Sequence, residues 1–359
     1  MRLLLVLCPL VVACVGGPQM DAGVDPYAAP GRFAVGSRHF TVTVGDAGRV
    51  LPVELWYPAS GTTDSFPLEN FEDGARRTQL AEWIAQAPEA CTPRLAHSTK
   101  DAPVADGAPF PLLVFSHCTE CFRFSLHSVA ERLASHGFVV AAPDHVENTR
   151  FDATAPLTNA FLSVRAADIS GVIDAMVAPG APLAIDPTRI AAFGHSFGAV
   201  TTAKVVERDA RVRAGLLIAA PADSPLLNGG SLPQINRPLS FLLAIEDNSI
   251  SFLGNEFIRD NFTRVQRPTW LVEVENAGHW TFSDIAGLGG AYRPGCGDGL
   301  RDPDGGAFTY LDNALGRSIA QRTVTAWASF TLRDDNAAAD ALSKSTPDGL
   351  VHVRRRSAP

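Results

Sequence analysis

Residues 186–199 read Asp-Pro-Thr-Arg-Ile-Ala-Ala-Phe-Gly-His-Ser-Phe-Gly-Ala and lead into Val200-Thr-Thr-Ala-Lys-Val-Val. Turn formers, a short apolar run, a glycine-flanked serine and a helix-forming stretch predict strand, sharp turn and helix, with Ser196 at the apex. A turn this tight forces its central residue into a strained backbone state, and side chains two positions to either side would collide with strand or helix. Gly194 and Gly198 occupy those two positions. The same turn exposes the serine hydroxyl and brings the next backbone N–H, that of Phe197, round to face it. This is the geometry of a nucleophile elbow.

Around the elbow, short apolar runs alternate with helical patterns. Phe110–Ser116 and Gly137–Ala142 read as strands buried on both faces, with a helix over Phe122–Ser135 between them. A helix over Ala160–Val177 precedes the elbow strand, Ile190–Phe193. Strands at Val212–Ala219, Leu239–Ile245 and Thr269–Val274 and a helix at Leu315–Phe330 follow. That order predicts a mostly parallel central sheet with helices on both faces. Near the front, Phe40–Val44 and Val50–Tyr57 flank a Gly45-Asp-Ala-Gly48 break and read as a hairpin, an antiparallel N-terminal edge. Residues 59–108 form a long excursion with one short helix at Ala75–Ala87, placed to shape a substrate entrance.

A serine hydroxyl needs a base beside it and a carboxylate to orient that base. His279, in a Gly-led turn directly after the strand ending at Val274, is the candidate base. Asp247, after the strand ending at Ile245, is the candidate acid, with Asp223 and Glu246 as alternatives. The turn after Ser116 offers the Thr119 N–H as a second oxyanion donor beside that of Phe197. His117 is expected to line or brace the pocket, and Phe122, Trp280 and Phe282 to give it an apolar mouth. His195 reads as packing. No metal-binding cluster and no cofactor is expected: His-Glu-x-x-His is missing, and Asp298, Asp302 and Asp304 do not fit a calcium loop.

The net charge of −8 excludes an electrostatic case for nucleic acid. Residues 1–13 carry Arg2 and then an apolar run too short to span a bilayer, so they read as an export signal. Val11-Val12-Ala13-Cys14 resembles a bacterial lipobox with Cys14 lipidated, which expects a membrane anchor at the cell envelope or, with plain cleavage, a secreted protein. Residues 14–30 read as a tether, 31–334 as the folded domain and 335–359 as a polar tail ending in a frayed surface terminus. Export makes pairing of Cys91, Cys118, Cys121 and Cys296 plausible, with the connectivity open.

Together, Leu51-Pro-Val-Glu-Leu-Trp-Tyr-Pro58, Leu113-Val-Phe-Ser-His117, Leu133-Ala-Ser-His-Gly-Phe-Val-Val-Ala-Ala-Pro-Asp-His145, Arg165-Ala-Ala-Asp-Ile-Ser-Gly-Val-Ile-Asp174, Gly194-His-Ser-Phe-Gly198 and Gly278-His-Trp-Thr-Phe-Ser-Asp284 resemble the α/β-hydrolase superfamily. The resemblance extends to the branch of bacterial platelet-activating-factor acetylhydrolase homologues and dienelactone hydrolase-like esterases. It implies an α/β-hydrolase fold and hydrolysis of a small or lipid-like carboxylic ester by Ser196, His279 and Asp247. Acetylhydrolase-type phospholipase, polyester hydrolase and a non-catalytic envelope-binding protein are the other readings. Two departures stand out. The family's His-Gly-x-Gly is here His117-Cys-Thr-Glu120, and Ala219 stands where acetylhydrolases carry the triad aspartate, which directs the choice to Asp247.

Overall fold

The computed structural model describes residues 25–45, 48–91, 95–152 and 155–357. The expected export signal and Cys14 lie outside the described residues. The N-terminal hairpin forms from β1 (Ala34–Val44) and β2 (Arg49–Ala59). The excursion carries helix α1 (Gly74–Ala85) and a two-residue strand β3 (Thr99–Lys100) that adds to β1. Alternation then begins with β4 (Phe110–Ser116), α2 (His127–Ser135), β5 (Val139–Pro143), α3 (Asn159–Val177), β6 (Ile185–His195) and α4 (Phe197–Arg208). It continues through β7 (Val212–Ile218), β8 (Leu239–Ala244), α5 (Ser251–Arg264), β9 (Thr269–Val274), α6 (Asn313–Arg333), α7 (Asn336–Leu342) and β10 (Val351–Arg356).

The ten strands order as β10-β9-β8-β7-β6-β4-β5-β2-β1-β3. Pairing is parallel from β9 to β5 and antiparallel at β9–β10, β5–β2 and β2–β1. The chain therefore runs outward from β4 to β5, crosses back over β4 to β6, and proceeds the other way. Loops leaving β4 and β6 diverge at this switch point, which opens a crevice beyond the carboxyl ends of the two strands.

The apolar runs have no polar face because both sides of the sheet are covered. Along β4, Leu113 and Phe115 enter a core shared with α2, α6 and α7, while Leu112 and Val114 enter the opposite core with α3, α4 and α5. Each such fully buried side chain contributes roughly 1.5–3 kcal/mol.

Three expectations are corrected. The predicted helix at Phe122–Ser135 begins only at His127, because the preceding turn buries the Arg123 guanidinium among Glu54, Glu72 and Asp144, and the Asp144 carboxylate also accepts the Arg123 backbone N–H. The described part of the polar tail, residues 335–357, is not a frayed terminus: α7 packs on α6, and β10 extends the sheet. Val351 and Val353 alternate with charged residues, Arg354 pairs with Glu273, and Arg355 covers the Trp270 ring, so basic side chains close the sheet edge. The described end of the expected tether, residues 25–30, is docked: Tyr27 is buried and its hydroxyl donates to Asp335, while Arg322 holds Asp25.

Candidate active site

Ser196 stands between β6 and α4 with φ 56° and ψ −122°, a strained state for a residue with a side chain. It is held there from both sides: Ser196 N–H donates to Ile218 O, and Ser196 O accepts from Ala199 N–H. A Cβ on Gly194 would collide with the carbonyl of Gly198, and one on Gly198 would collide with the carbonyls of Ser116 and His117. Both glycines are thus required by close approach, and the second clash shows the elbow pressed against the turn that leaves β4.

The loops after β8 and β9 bring Asp247 and His279 together. Asp247 Oδ2 accepts from His279 Nδ1 at 2.7 Å, and Asp247 Oδ1 accepts from the backbone N–H groups of Ser249 and Ile250. Three donors satisfy this buried carboxylate and fix the tautomer of His279, with Nδ1 protonated and Nε2 left as acceptor. His195 donates from Nε2 to the carbonyl of His279, and burial drives its pKa well down, so a neutral ring braces the loop as the packing role predicts. Ser196 and His279 line one cavity of about 420 Å³ and share no hydrogen bond with each other among the described residues. Catalytic contacts of this kind often tighten only with substrate bound.

The alternative acids are engaged elsewhere. Glu246 pairs with Arg301, and Asp223 lies 3.5 Å from Arg264. Asp298 accepts from Thr309, and Asp302 accepts the Phe252 N–H near the start of α5.

Thr119 and Phe197 both line the cavity beside Ser196. Neither backbone N–H has a protein acceptor among the described residues, so both are free to meet an anion. The cysteines resolve into Cys91–Cys296 and Cys118–Cys121. The second closes the turn that carries Thr119, with Glu120 N–H donating to Asn148 O and Cys121 N–H to Cys118 O. A clamp stands where the family's His-Gly-x-Gly would place flexible glycines. Cys91–Cys296 ties the excursion to the loop after β9, but none of the cavity wall comes from residues 59–108, against the expected entrance role.

Of the expected mouth residues, only Trp280 lines the cavity, its ring edge-on to His279. Phe122 is fully buried, stacked with Phe124 and Trp83, and Phe282 is equally buried. His117 is turned inward: Nδ1 donates to Cys118 O at 2.6 Å, and Nε2 accepts the His145 backbone N–H at 2.9 Å. Burial first, then the nearby Arg165, holds its pKa far below the ordinary value, so it braces the turn as a neutral ring. The apolar wall comes instead from Leu157, Val200, Leu226, Ile250, Leu253 and Phe257, and no charged side chain lines it.

The residues that sequence reasoning missed lie beneath the turn. Arg165 on α3 is fully buried and donates to His117 O, Asn148 Oδ1, Ser116 Oγ and Thr201 Oγ1. Asn148 in turn donates to Thr119 Oγ1 at 3.0 Å. The available signal was their register: Arg165 and Asp168 fall among Phe161, Leu162, Ile169, Val172 and Ile173 on the apolar stripe of α3, where a charge needs a reason.

Residues 24–161 match the family described as platelet-activating factor acetylhydrolase, isoform II, a span that ends before Ser196. The platelet-activating factor acetylhydrolase of Canis lupus familiaris is 25% identical over 189 residues, covering 40% of this chain and 41% of that protein. The Bos taurus protein of that name is 27% identical over 164 residues, covering 33% and 37% respectively. The chain thus spans about two fifths of the length of these curated relatives. A ferulic acid esterase from Streptomyces cinnamoneus superposes with a TM-score of 0.68 at 22% identity, covering 91% of this chain and 98% of that one. Sheet order and superposition agree that the chain has the α/β-hydrolase fold, and its residues 24–161 are similar to the platelet-activating factor acetylhydrolase family.

Proposed function

We propose that the chain hydrolyses carboxylic esters through an acyl-enzyme on Ser196. The observation that carries this reading is the strained Ser196 facing His279 across one cavity, with Asp247 bound to the far side of that imidazole. In the first step Ser196 Oγ attacks the ester carbonyl carbon while His279 Nε2 takes the hydroxyl proton, and Asp247 stabilises the imidazolium. The carbonyl oxygen becomes an anion facing the N–H groups of Phe197 and Thr119. Collapse breaks the C–O bond to the alcohol, which leaves with the proton from His279. Water, deprotonated by the same imidazole, then attacks the acyl carbon and frees the acid and Ser196.

The uncharged wall favours an acyl or aromatic group over a sugar or an ion. The name of the Streptomyces neighbour, a ferulic acid esterase, is consistent with an aromatic ester. An acetylhydrolase-type phospholipase is the second reading, supported by the match over residues 24–161; a charged headgroup finds no charged partner in the wall and would have to remain outside. We read the protein as exported, anchored at the envelope through Cys14 or secreted, a location supported by its two disulfides.

A fluorophosphonate probe tests the reading. Wild type is expected to label on one serine, identified by peptide mapping as Ser196, with labelling lost in Ser196→Ala. A folded wild type that does not label would instead be the non-catalytic binding protein. A panel of p-nitrophenyl esters against short-acyl phospholipids separates the two substrate readings.

A further inference from the structure

The turn that carries Thr119 rests on a buried cation with no carboxylate in contact. Arg165 is 0% exposed, and each of its hydrogen bonds ends on a neutral acceptor: two hydroxyls, a carboxamide and a carbonyl. The nearest acid, Asp168, is occupied. Its carboxylate binds Arg49 Nε at 3.1 Å and accepts from His145 Nδ1 at 2.9 Å. His145 Nε2 then accepts from Ser116 Oγ at 2.9 Å, and Ser116 Oγ accepts from Arg165. Asp168 acts on Arg165 through space while bonded to Arg49, Arg49 also pairs with the exposed Glu147, and burial keeps His117 and His145 neutral, so Arg165 has a carboxylate nearby but none bonded to it. Burial pushes the Arg165 pKa down to about 9, which leaves it charged at neutral pH. Burying a charge without a bonded carboxylate is costly, and a fold that retains one has a use for it.

The cation's neighbours indicate that use. Through Asn148 it holds the Thr119 side chain, through His117 O it holds the start of the turn, and its guanidinium carbon sits 4.7 Å from the centre of the Phe197 ring. Thr119 and Phe197 both line the cavity, and their N–H groups are the two assigned to the oxyanion under the ester-hydrolase reading.

We propose that Arg165 is the positioning residue of the oxyanion site: it joins the Thr119 turn and the Phe197 end of α4 in one frame, and its charge, bonded to no carboxylate, gains a further anionic partner when an oxyanion forms between them. This rests on the ester-hydrolase reading. During acylation the site then holds two balanced pairs, imidazolium with Asp247 and oxyanion with Arg165. A charge that acts only on the tetrahedral species lowers the barrier without tightening ground-state binding.

Arg165→Lys keeps the charge with fewer donors, and Arg165→Gln keeps donors without the charge. Asn148→Asp leaves Arg165 in place and gives it a carboxylate partner. On p-nitrophenyl butyrate, kcat is expected to fall roughly 10- to 100-fold in Arg165→Gln and Asn148→Asp, less than the loss of a whole donor costs, and to fall less in Arg165→Lys. KM is expected to stay within about threefold. Affinity for a phenylboronic acid, which mimics the tetrahedral anion, is expected to fall in parallel with kcat. Asn148→Asp is expected to keep or raise the thermal midpoint, which covers the case in which the Arg165 variants do not fold. Equal losses in Lys and Gln, losses confined to KM, unchanged boronate affinity, or full activity of Asn148→Asp would each overturn the proposal. Failure of wild type to label with fluorophosphonate would overturn the ester-hydrolase reading itself and is scored before the variants are compared.

Discussion

Two serine–histidine–aspartate sets lie side by side in this molecule, and Ser116 pairs across the sheet with Gly194, two residues before Ser196. Ser116, His145 and Asp168 are linked by two hydrogen bonds of 2.9 Å, a more complete relay than Ser196, His279 and Asp247, where only the acid–base bond is closed. By residue type and distance the inner set is the better triad. It nevertheless lacks every other requirement of a nucleophilic site. Ser116 is 1% exposed and borders no cavity that substrate could enter, and its oxygen already accepts from Arg165. His145 cannot store a proton, because burial and then Arg165 and Arg49 hold its pKa far down. Ser196 has the strained backbone, the open cavity and a hydroxyl with no hydrogen-bond partner among the described residues. Reactivity here depends on access, backbone state and unspent hydrogen-bonding capacity, and the triad pattern alone supplies none of them.

The sharpest way to break this comparison is to remove each serine. Ser196→Ala is expected to lower kcat by about 10⁴-fold or more, whereas Ser116→Ala is expected to cost less than about tenfold, since it removes one acceptor of Arg165. Esterase rates of the two purified variants check this. Comparable losses would mean that the buried serine takes part in the chemistry.

The acids come next. Asp247→Asn removes the charge that stabilises the imidazolium and leaves the wrong tautomer, for an expected loss of about 10⁴-fold in kcat with little change in the unfolding midpoint. Asp168→Asn should do the reverse. Removing the buried carboxylate that holds the part-exposed Arg49 is expected to cost roughly 1–3 kcal/mol in urea unfolding, while kcat falls tenfold or less. An Asp168→Asn enzyme that is stable but inactive would exchange the roles assigned to the two sets.

The difference between the sets also marks what could be read in the sequence. The elbow, the parallel strands and the positions of Asp247 and His279 were legible because each depends on local signals: small residues around Ser196, apolar runs for strands, and polar residues just after them. The inner set was not, because Ser116, His145 and Asp168 meet only through tertiary packing. Phe122, Phe282 and His117 failed as mouth residues for a related reason. Proximity to a strand end places a residue on the rim, but side-chain direction decides whether it faces the cavity, and these three point into the layers beneath. The tail was misread because the short alternation of Val351 and Val353 is a weak strand signal until β9 offers it an edge.

The smallest expected effect reads the inner imidazole by what acid does to it. His117, His145 and His195 all have pKa values depressed by burial, so the unfolded chain binds more protons than the native one below the ordinary histidine value of about 6.5. Their contribution to stability is complete above that pH and is lost as pH falls beneath it. His127 has the opposite sign: although burial lowers its pKa, Asp284 and Glu131 raise it on balance, so its contribution is complete below about 6.5 and is lost as pH climbs through the raised value. His136 is depressed in the same sense, so the thermal midpoint of wild type is expected to drop between pH 7 and 5.5, by less than these four histidines would give alone. In His145→Gln the slope should flatten, because one depressed group is gone; in His127→Gln it should steepen, because the opposing group is gone. Calorimetric midpoints across that window read both changes. An unchanged slope in His145→Gln would mean that the inner imidazole accepts a proton in the folded protein, and the distinction between a buried brace and a working base would fail at its chemical root.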